Sequence, residues 1–215
     1  MKILIADDHG IVREGLKSLI ERQDSMQVVG EADDGQMAID LTLELSPDIV
    51  IMDVSMPNLN GIEATREILF HKPNTKIIIL SMYTDKHIVK ESLEAGAHGY
   101  ILKSNLLDEL LKAITSIKAN ERYLSPRITG IIVDDYINQK ASTKAKSEIK
   151  LAPRERQIIQ LIAEGKTIKE IARIINVSPK TADANRRKIM NKLNIFNTAE
   201  LTKFAIREKL TSLDF

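Results

Sequence analysis

The chain of 215 residues has 43% apolar and 28% charged side chains with nine glycines and six prolines, which excludes collagen-like, low-complexity and wholly disordered classes. It holds no cysteine, so disulfides, thiolate zinc sites, iron–sulfur clusters and cysteine nucleophiles are excluded as well. The net charge of +1 conceals an asymmetry: residues 151–215 carry 13 Lys and Arg against 7 Asp and Glu, a surplus of +6, while residues 1–150 carry 18 against 23, a balance of −5.

Five short apolar runs open the chain: Lys2–Ala6, Gln27–Glu31, Asp48–Met52, Lys76–Ser81 and Gly99–Lys103. The first turns acidic at Asp7 and Asp8, too early for a signal peptide, and no apolar stretch reaches the length of a membrane span, so a cytoplasmic protein with no membrane partner is expected. Runs such as Ile49-Val50-Ile51-Met52 and Ile77-Ile78-Ile79-Leu80 lack the alternation of a one-sided sheet and read as parallel strands covered on both faces. Between them, apolar residues recur at helical spacing, as in Ile11, Val12, Leu16, Leu19 and Ile20, or Leu106, Leu107, Leu110, Leu111, Ile114 and Ile117. Five strands with five helices predict a doubly wound α/β domain over residues 1–120. No glycine-rich phosphate loop follows any strand.

Residues 121–149 read as a linker, with a short helical pattern around Ile128–Ile137 followed by an aperiodic polar stretch from Asn138 to Glu148. From residue 150 to 215 the pattern is purely helical. Pro153 opens one helix and Gly165 ends it, Thr167 and Glu170 form a capping box, Ser178-Pro179 opens a third helix, and Thr198 precedes a fourth running to about Leu210. This second domain is all-α with four helices, and its charge suits an anionic partner such as nucleic acid.

In a doubly wound sheet, ligands bind beyond the carboxyl ends of the strands. Asp7 and Asp8 follow the first strand and Asp53 ends the third, the neighbour of the first in the commonest five-stranded order. Crowded carboxylates repel, and a hard divalent cation such as Mg²⁺ relieves them. Ser81 and Lys103 end the fourth and fifth strands, placing a hydroxyl and an ammonium on the same rim to hold a tetrahedral anion built on Asp53.

Asp7-Asp8, Asp53-Val-Ser-Met-Pro57 with Gly61, Leu80-Ser81-Met82 and Gly99-Tyr-Ile-Leu-Lys103 together resemble the flavodoxin-like receiver domain of two-component response regulators. The resemblance implies that Asp53 accepts a phosphoryl group from a sensor histidine kinase, with Mg²⁺ held by Asp8, Asp53 and the main-chain carbonyl of Ser55, and Asp7 either sharing the ligation or standing just behind it. Lys103 and Ser81 would engage the phosphoryl oxygens, and Tyr100 would be the switch aromatic that turns inward when Ser81 moves. A phosphatase built on an aspartate nucleophile places a second acid two residues on; Ser55 stands there instead, so at most slow self-dephosphorylation is expected rather than an enzyme.

The central Thr167–Asn185 unit fits a helix-turn-helix. Leu151-x-Pro-Arg-Glu-Arg-x-Ile-Ile-x-Leu-Ile-Ala-x-Gly165, Lys169-Glu-Ile-Ala172, Val177-Ser-x-x-Thr181 and Lys192-Leu193-Asn-Ile195 resemble the LuxR-type DNA-binding domain, and with the receiver they match the NarL/FixJ class. The resemblance implies double-stranded promoter DNA as partner, a homodimer in the active state paired through the last helix, and RNA polymerase as a further partner the class allows. On the recognition helix, Asp183, Ala184 and Arg187 take the base-reading positions, with Arg187 suited to guanine and Asp183, where the family usually has lysine, able to accept from a cytosine amino group. Lys180, Thr181, Arg186 and Lys188 suit phosphate. Ala152 and Thr198 depart from the family's usual threonine and arginine, which removes one helix cap and one phosphate contact. The alternative is a regulator whose DNA binding ignores phosphorylation.

Overall fold

The structure is a computed structural model that describes residues 1–139 and 151–211. The chain divides into two compact units. In the amino-terminal unit the strands are β1 (Lys2–Ala6), β2 (Gln27–Ala32), β3 (Ile49–Asp53), β4 (Lys76–Ser81), β5 (Gly99–Leu102) and β6 (Tyr123–Leu124). All pairs are parallel, in the order β2-β1-β3-β4-β5-β6. The helices are α1 (Gly10–Glu21), α2 (Gly35–Leu45), α3 (Gly61–His71), α4 (Lys86–Glu94), α5 (Leu106–Lys118) and α6 (Pro126–Gln139).

Successive residues of a strand point to opposite faces, so an unbroken apolar run fills two cores. Ile3 and Ile5 of β1, Ile49 and Ile51 of β3, and Ile78 and Leu80 of β4 pack with Leu16 and Ile20 of α1 and Leu110, Ala113, Ile114 and Ile117 of α5. The alternate residues Leu4, Val50, Met52, Ile77 and Ile79 are equally buried on the other face, where α2 and α3 pack against each other and α4 lies beside α3. Register places Ala6 opposite Met52, Asp53 opposite Leu80, and Ser81 opposite Leu102. The carboxyl ends of β1, β3, β4 and β5 therefore form one rim.

Several details differ from the sequence expectation: β2 runs one residue further, to Ala32, and β5 ends one residue earlier, at Leu102, where the chain turns into a 3₁₀ segment. The third strand is shifted by one residue, because the Asp48 side chain accepts a hydrogen bond from the Lys2 amide (2.7 Å) before the strand begins, and Asp53 is its last residue. The sheet has six strands rather than five. β6 is only two residues long, too short for any periodicity, and is held by the Tyr123 amide donating to the His98 carbonyl (3.2 Å) and the Ser125 amide donating to Tyr100 (2.9 Å). The Ser125 hydroxyl accepts from the Leu102 amide (3.1 Å) and donates to the buried Glu109 carboxylate, while the Ser125 carbonyl starts α6 by accepting from Ile128 (2.8 Å) and Thr129 (3.0 Å). The helix expected around residues 128–137 is α6; most of the expected polar linker lies outside the described residues.

The carboxy-terminal unit contains α7 (Pro153–Ala163), α8 (Ile168–Ile174), α9 (Pro179–Leu193) and α10 (Thr198–Arg207). Ile158, Ile159 and Ile162 of α7, Ile171 of α8, Ala182, Ile189 and Leu193 of α9, and Leu201 and Ala205 of α10 form its core. Gly165, at φ +78°, closes α7 in the left-handed region that favours glycine, with the Lys166 amide donating back to Leu161 (3.0 Å). Thr167 and Glu170 make a reciprocal capping box, and Ser178 caps α9 by accepting from the Thr181 amide (3.1 Å). The last helix is capped by Asn197, one residue earlier than the sequence reading placed it, and ends at Arg207; the Leu210 amide then folds back onto Ala205 (2.9 Å) and buries its side chain. Ala152 supplies no side-chain cap to α7, yet the Glu155 carboxylate accepts from the Ala152 amide (2.8 Å), preserving half of the device. Among the described residues, no helix is long and apolar enough to cross a membrane.

Candidate functional site

Asp7 follows β1 directly, its amide continuing the ladder to Ala32 (3.1 Å), and its side chain is fully buried. Asp53 ends β3 and is 3% exposed. Between them sits the Lys103 ammonium, 2.7 Å from Asp7 Oδ2 and 2.9 Å from Asp53 Oδ2. Lys103 is brought there by the end of β5, where the chain turns into a short 3₁₀ segment, Lys103–Asn105. Asp8 is more exposed and pairs with His9 Nδ1 (2.7 Å). One ligand atom each from Asp7, Asp8, His9 and Asp53 lies within 4.8 Å of the others.

The electrostatics follow from burial. Loss of hydration pushes Asp53 up to about 6; the Lys103 ammonium works against this rise, and the Asp7 and Asp8 carboxylates add to it. Burial works against the charge of Lys103 too, but Asp53 and Asp7 outweigh it and hold the ammonium above its ordinary value. Asp53 is therefore predominantly ionised at neutral pH. Its backbone is wedged in place by Gly61: a Cβ there would stand 1.9 Å from the Asp53 carbonyl oxygen, a distance no side chain tolerates.

The switch candidates lie along the same rim. Ser81, 1% exposed, accepts from the Tyr83 amide through Oγ (3.0 Å). Tyr100 is fully buried and donates its hydroxyl to the Tyr83 carbonyl (2.9 Å), so the aromatic is already turned inward. Ser55 lies two residues beyond Asp53 on the way to α3, half-buried. The sequence reading places Asp7, Asp8, Asp53, Ser81 and Lys103 on one rim, and the structure does the same; Tyr100 stands within β5, opposite Ile79, and reaches the rim through its hydroxyl on Tyr83. Two neighbours escape that reading. His9 reaches both Asp7 and Asp8, and Arg13 Nη1 donates to the Asp7 carbonyl (2.7 Å). Only their helical spacing after the acidic pair could have signalled them.

In the helical unit, Ala182, Ile189 and Leu193 bury one side of α9, leaving Lys180, Thr181, Ala184, Arg187 and Lys188 exposed. The Thr181 hydroxyl is hydrogen-bonded to Ser178 at the cap (2.8 Å). Asp183 pairs with Arg186 Nη2 (2.8 Å) and Arg187 Nη2 (2.7 Å).

A parallel sheet whose carboxyl rim gathers three aspartates, a lysine and a serine, followed by a basic helix-turn-helix, is the architecture of a response regulator that acts on DNA. The chain belongs to that family: residues 3–115 match the response regulator receiver domain and residues 150–205 the bacterial regulatory proteins of the luxR family. It is 40% identical over 219 residues to the oxygen regulatory protein NreC of Staphylococcus carnosus, covering all of both chains. The NreC of Staphylococcus epidermidis is 39% identical over 215 residues, 98% of this chain and 99% of that one. These relatives place the chain in the NarL/FixJ class. Among solved structures, a LuxR-family response regulator from Aurantimonas is 42% identical over 63% of this chain and 97% of its own (TM-score 0.61). RcsB from Salmonella enterica serovar Typhimurium, bound to a promoter in the presence of the phosphomimetic BeF3−, is 28% identical over 95% of this chain and 97% of its own (TM-score 0.60).

Proposed function

We propose that Asp53 is the phosphoacceptor of this response regulator, and that its phosphorylation by a sensor histidine kinase shifts the chain toward a dimer competent to bind promoter DNA. The observation that carries this reading is the Lys103 ammonium held between Asp7 and Asp53 at the end of the sheet. Asp53, ionised at neutral pH, presents an oxygen nucleophile to a phosphorylated imidazole; the new oxygen–phosphorus bond forms as the phosphorus–nitrogen bond breaks. Lys103 is placed to stay with the charge as it moves onto phosphoryl oxygens, and the Ser81 hydroxyl to donate to one of them once it releases Tyr83.

The donor set suits Mg²⁺: closely spaced hard carboxylate oxygens from Asp7, Asp8 and Asp53, to which the Ser55 carbonyl would add a further ligand. That ion would neutralise charge on the incoming phosphoryl group. With Ser55 where a general acid would stand, hydrolysis of the acyl phosphate is slow. We assign residues 1–120 to the receiver, 121–149 to the linker, whose first part, β6 and α6, packs with the receiver, and 150–215 to DNA binding, with Lys180, Thr181, Arg186 and Lys188 toward phosphates and Asp183, Ala184 and Arg187 on the side toward bases. Incubation with acetyl phosphate and Mg²⁺ should add one phosphoryl group by intact-mass measurement. Addition of the same mass to Asp53→Asn would sink the assignment.

A second reading is DNA binding independent of phosphorylation. The inward position of Tyr100 in the unmodified chain favours it. Equal DNA affinity with and without acetyl phosphate would establish it.

A further inference from the structure

Helix α9 carries five bases, Lys180, Arg186, Arg187, Lys188 and Lys192, and a single acid, Asp183. A carboxylate among cations that face phosphates costs Coulomb energy, so its presence calls for a compensating use. Both of its oxygens are engaged. Oδ1 accepts from Arg186 Nε (3.1 Å) and lies 2.8 Å from its Nη2, and Oδ2 forms an ion pair with Arg187 Nη2 (2.7 Å). The spacings i+3 and i+4 bring the three side chains together on the helix. Such surface pairs add little to helix stability, so their consequence is geometric. Arg187 remains 73% exposed at its side chain although one nitrogen is tied down. An untethered arginine samples many rotamers and settles on phosphate or base edges alike. One whose guanidinium is drawn to a carboxylate at Nη2 favours a narrower set of orientations with its other N–H groups free, which is what paired donation to guanine O6 and N7 requires.

We propose that Asp183 is a positioning residue that sets Arg187 for a guanine edge, while its charge lowers the attraction of α9 for phosphates in general, so that the helix gives up indiscriminate affinity for base discrimination. This rests on α9 being the element that meets DNA.

The test uses the full chain as wild type, D183N, D183E, R187A and the D183N/R187A double variant. Duplexes are selected from a random library by the wild-type protein, with and without acetyl phosphate. Affinity is then measured for the selected duplex, for versions with each base pair replaced in turn, and for an unrelated duplex of equal length. Replacing one G·C pair should weaken wild-type binding by about tenfold or more. D183N and R187A should each erase most of that penalty, D183E should retain part of it, and D183N should add nothing further in the R187A background. D183N should bind the unrelated duplex as well as wild type or better. An unchanged penalty in D183N would overturn the inference, as would a uniform loss on all duplexes accompanied by loss of helix signal in circular dichroism. So would a penalty at a different base pair that depends on Asp183 with or without Arg187, since Asp183 would then read a base itself. Wild-type protein that selects no sequence would remove the DNA-binding reading together with this one; selection by wild type with D183N indistinguishable from it removes this one alone.

Discussion

At the scale of single residues, the receiver rim stores an unfavourable charge. The Asp53 carboxyl titrates near 6 in the fold against an ordinary 3.8, so folding favours its protonated form. A group raised in this way detracts from stability once ionised: the penalty is absent below about pH 4, grows as pH rises toward 6, and is full above that. Asp53→Asn should therefore stabilise the metal-free protein by about 1–3 kcal/mol at pH 7.5, at about 1.4 kcal/mol per pH unit of displacement. The advantage should vanish near pH 4, as urea denaturation in EDTA at both pH values would reveal. Lys103→Met has the opposite effect, because Asp7 and Asp53 lose the ammonium 2.7 and 2.9 Å away. A loss of about 3 kcal/mol or more at neutral pH is expected, with partial recovery on acidification. Gly61→Ala should be as damaging without any pH dependence, since the added methyl meets the Asp53 carbonyl itself. Coincident urea midpoints for Gly61→Ala and wild type would contradict the contact.

Among elements, the junction of β5, β6 and α6 depends on one buried hydroxyl. Ser125, 1% exposed, joins the Leu102 amide to Glu109. Ser125→Ala leaves both groups short of a partner and should cost about 1–3 kcal/mol. Amide exchange should accelerate in the first turn of α6 while the β1–β3 ladder is unaffected. Unaltered exchange there would show that the hydroxyl does not anchor the helix.

The same elements show what a sequence discloses. β1, β3 and β4 are legible because strands covered on both faces must be apolar throughout, and the rim residues are legible because each stands one or two steps past such a run. β6 is not, since two residues carry no period and its existence depends on Ser125 meeting Tyr100 and Leu102 across 23 to 25 positions. The α10 cap is ambiguous because Asn197 and Thr198 are both capping residues, and only the bond from the Glu200 amide to Asn197 Oδ1 (2.8 Å) decides between them. The pairing of Asp183 with two arginines is allowed by its spacing, but which partner each oxygen takes depends on rotamers that the sequence leaves open.

For the whole molecule, two units with separate apolar interiors and opposite charges sit on one chain. Each core is closed by its own elements, so a fragment of residues 146–215 should fold alone and show a cooperative thermal transition by circular dichroism. The surplus of +6 beyond residue 150 makes binding to duplexes an ion-exchange process. With about three phosphates met by Lys180, Arg186 and Lys188, affinity should fall by about one to two orders of magnitude between about 50 and 200 mM salt. A flat salt response would mean that these cations do not face phosphate.

The covalent path from one unit to the other leaves through β6, and this has a mechanical corollary. Peptide groups locked amide to carbonyl have none of the slack of a long side chain. Any displacement of the strand that leads into Lys103 must therefore drag the root of α6 with it, and whatever tethers that root also sets how far such a tug can travel down the chain.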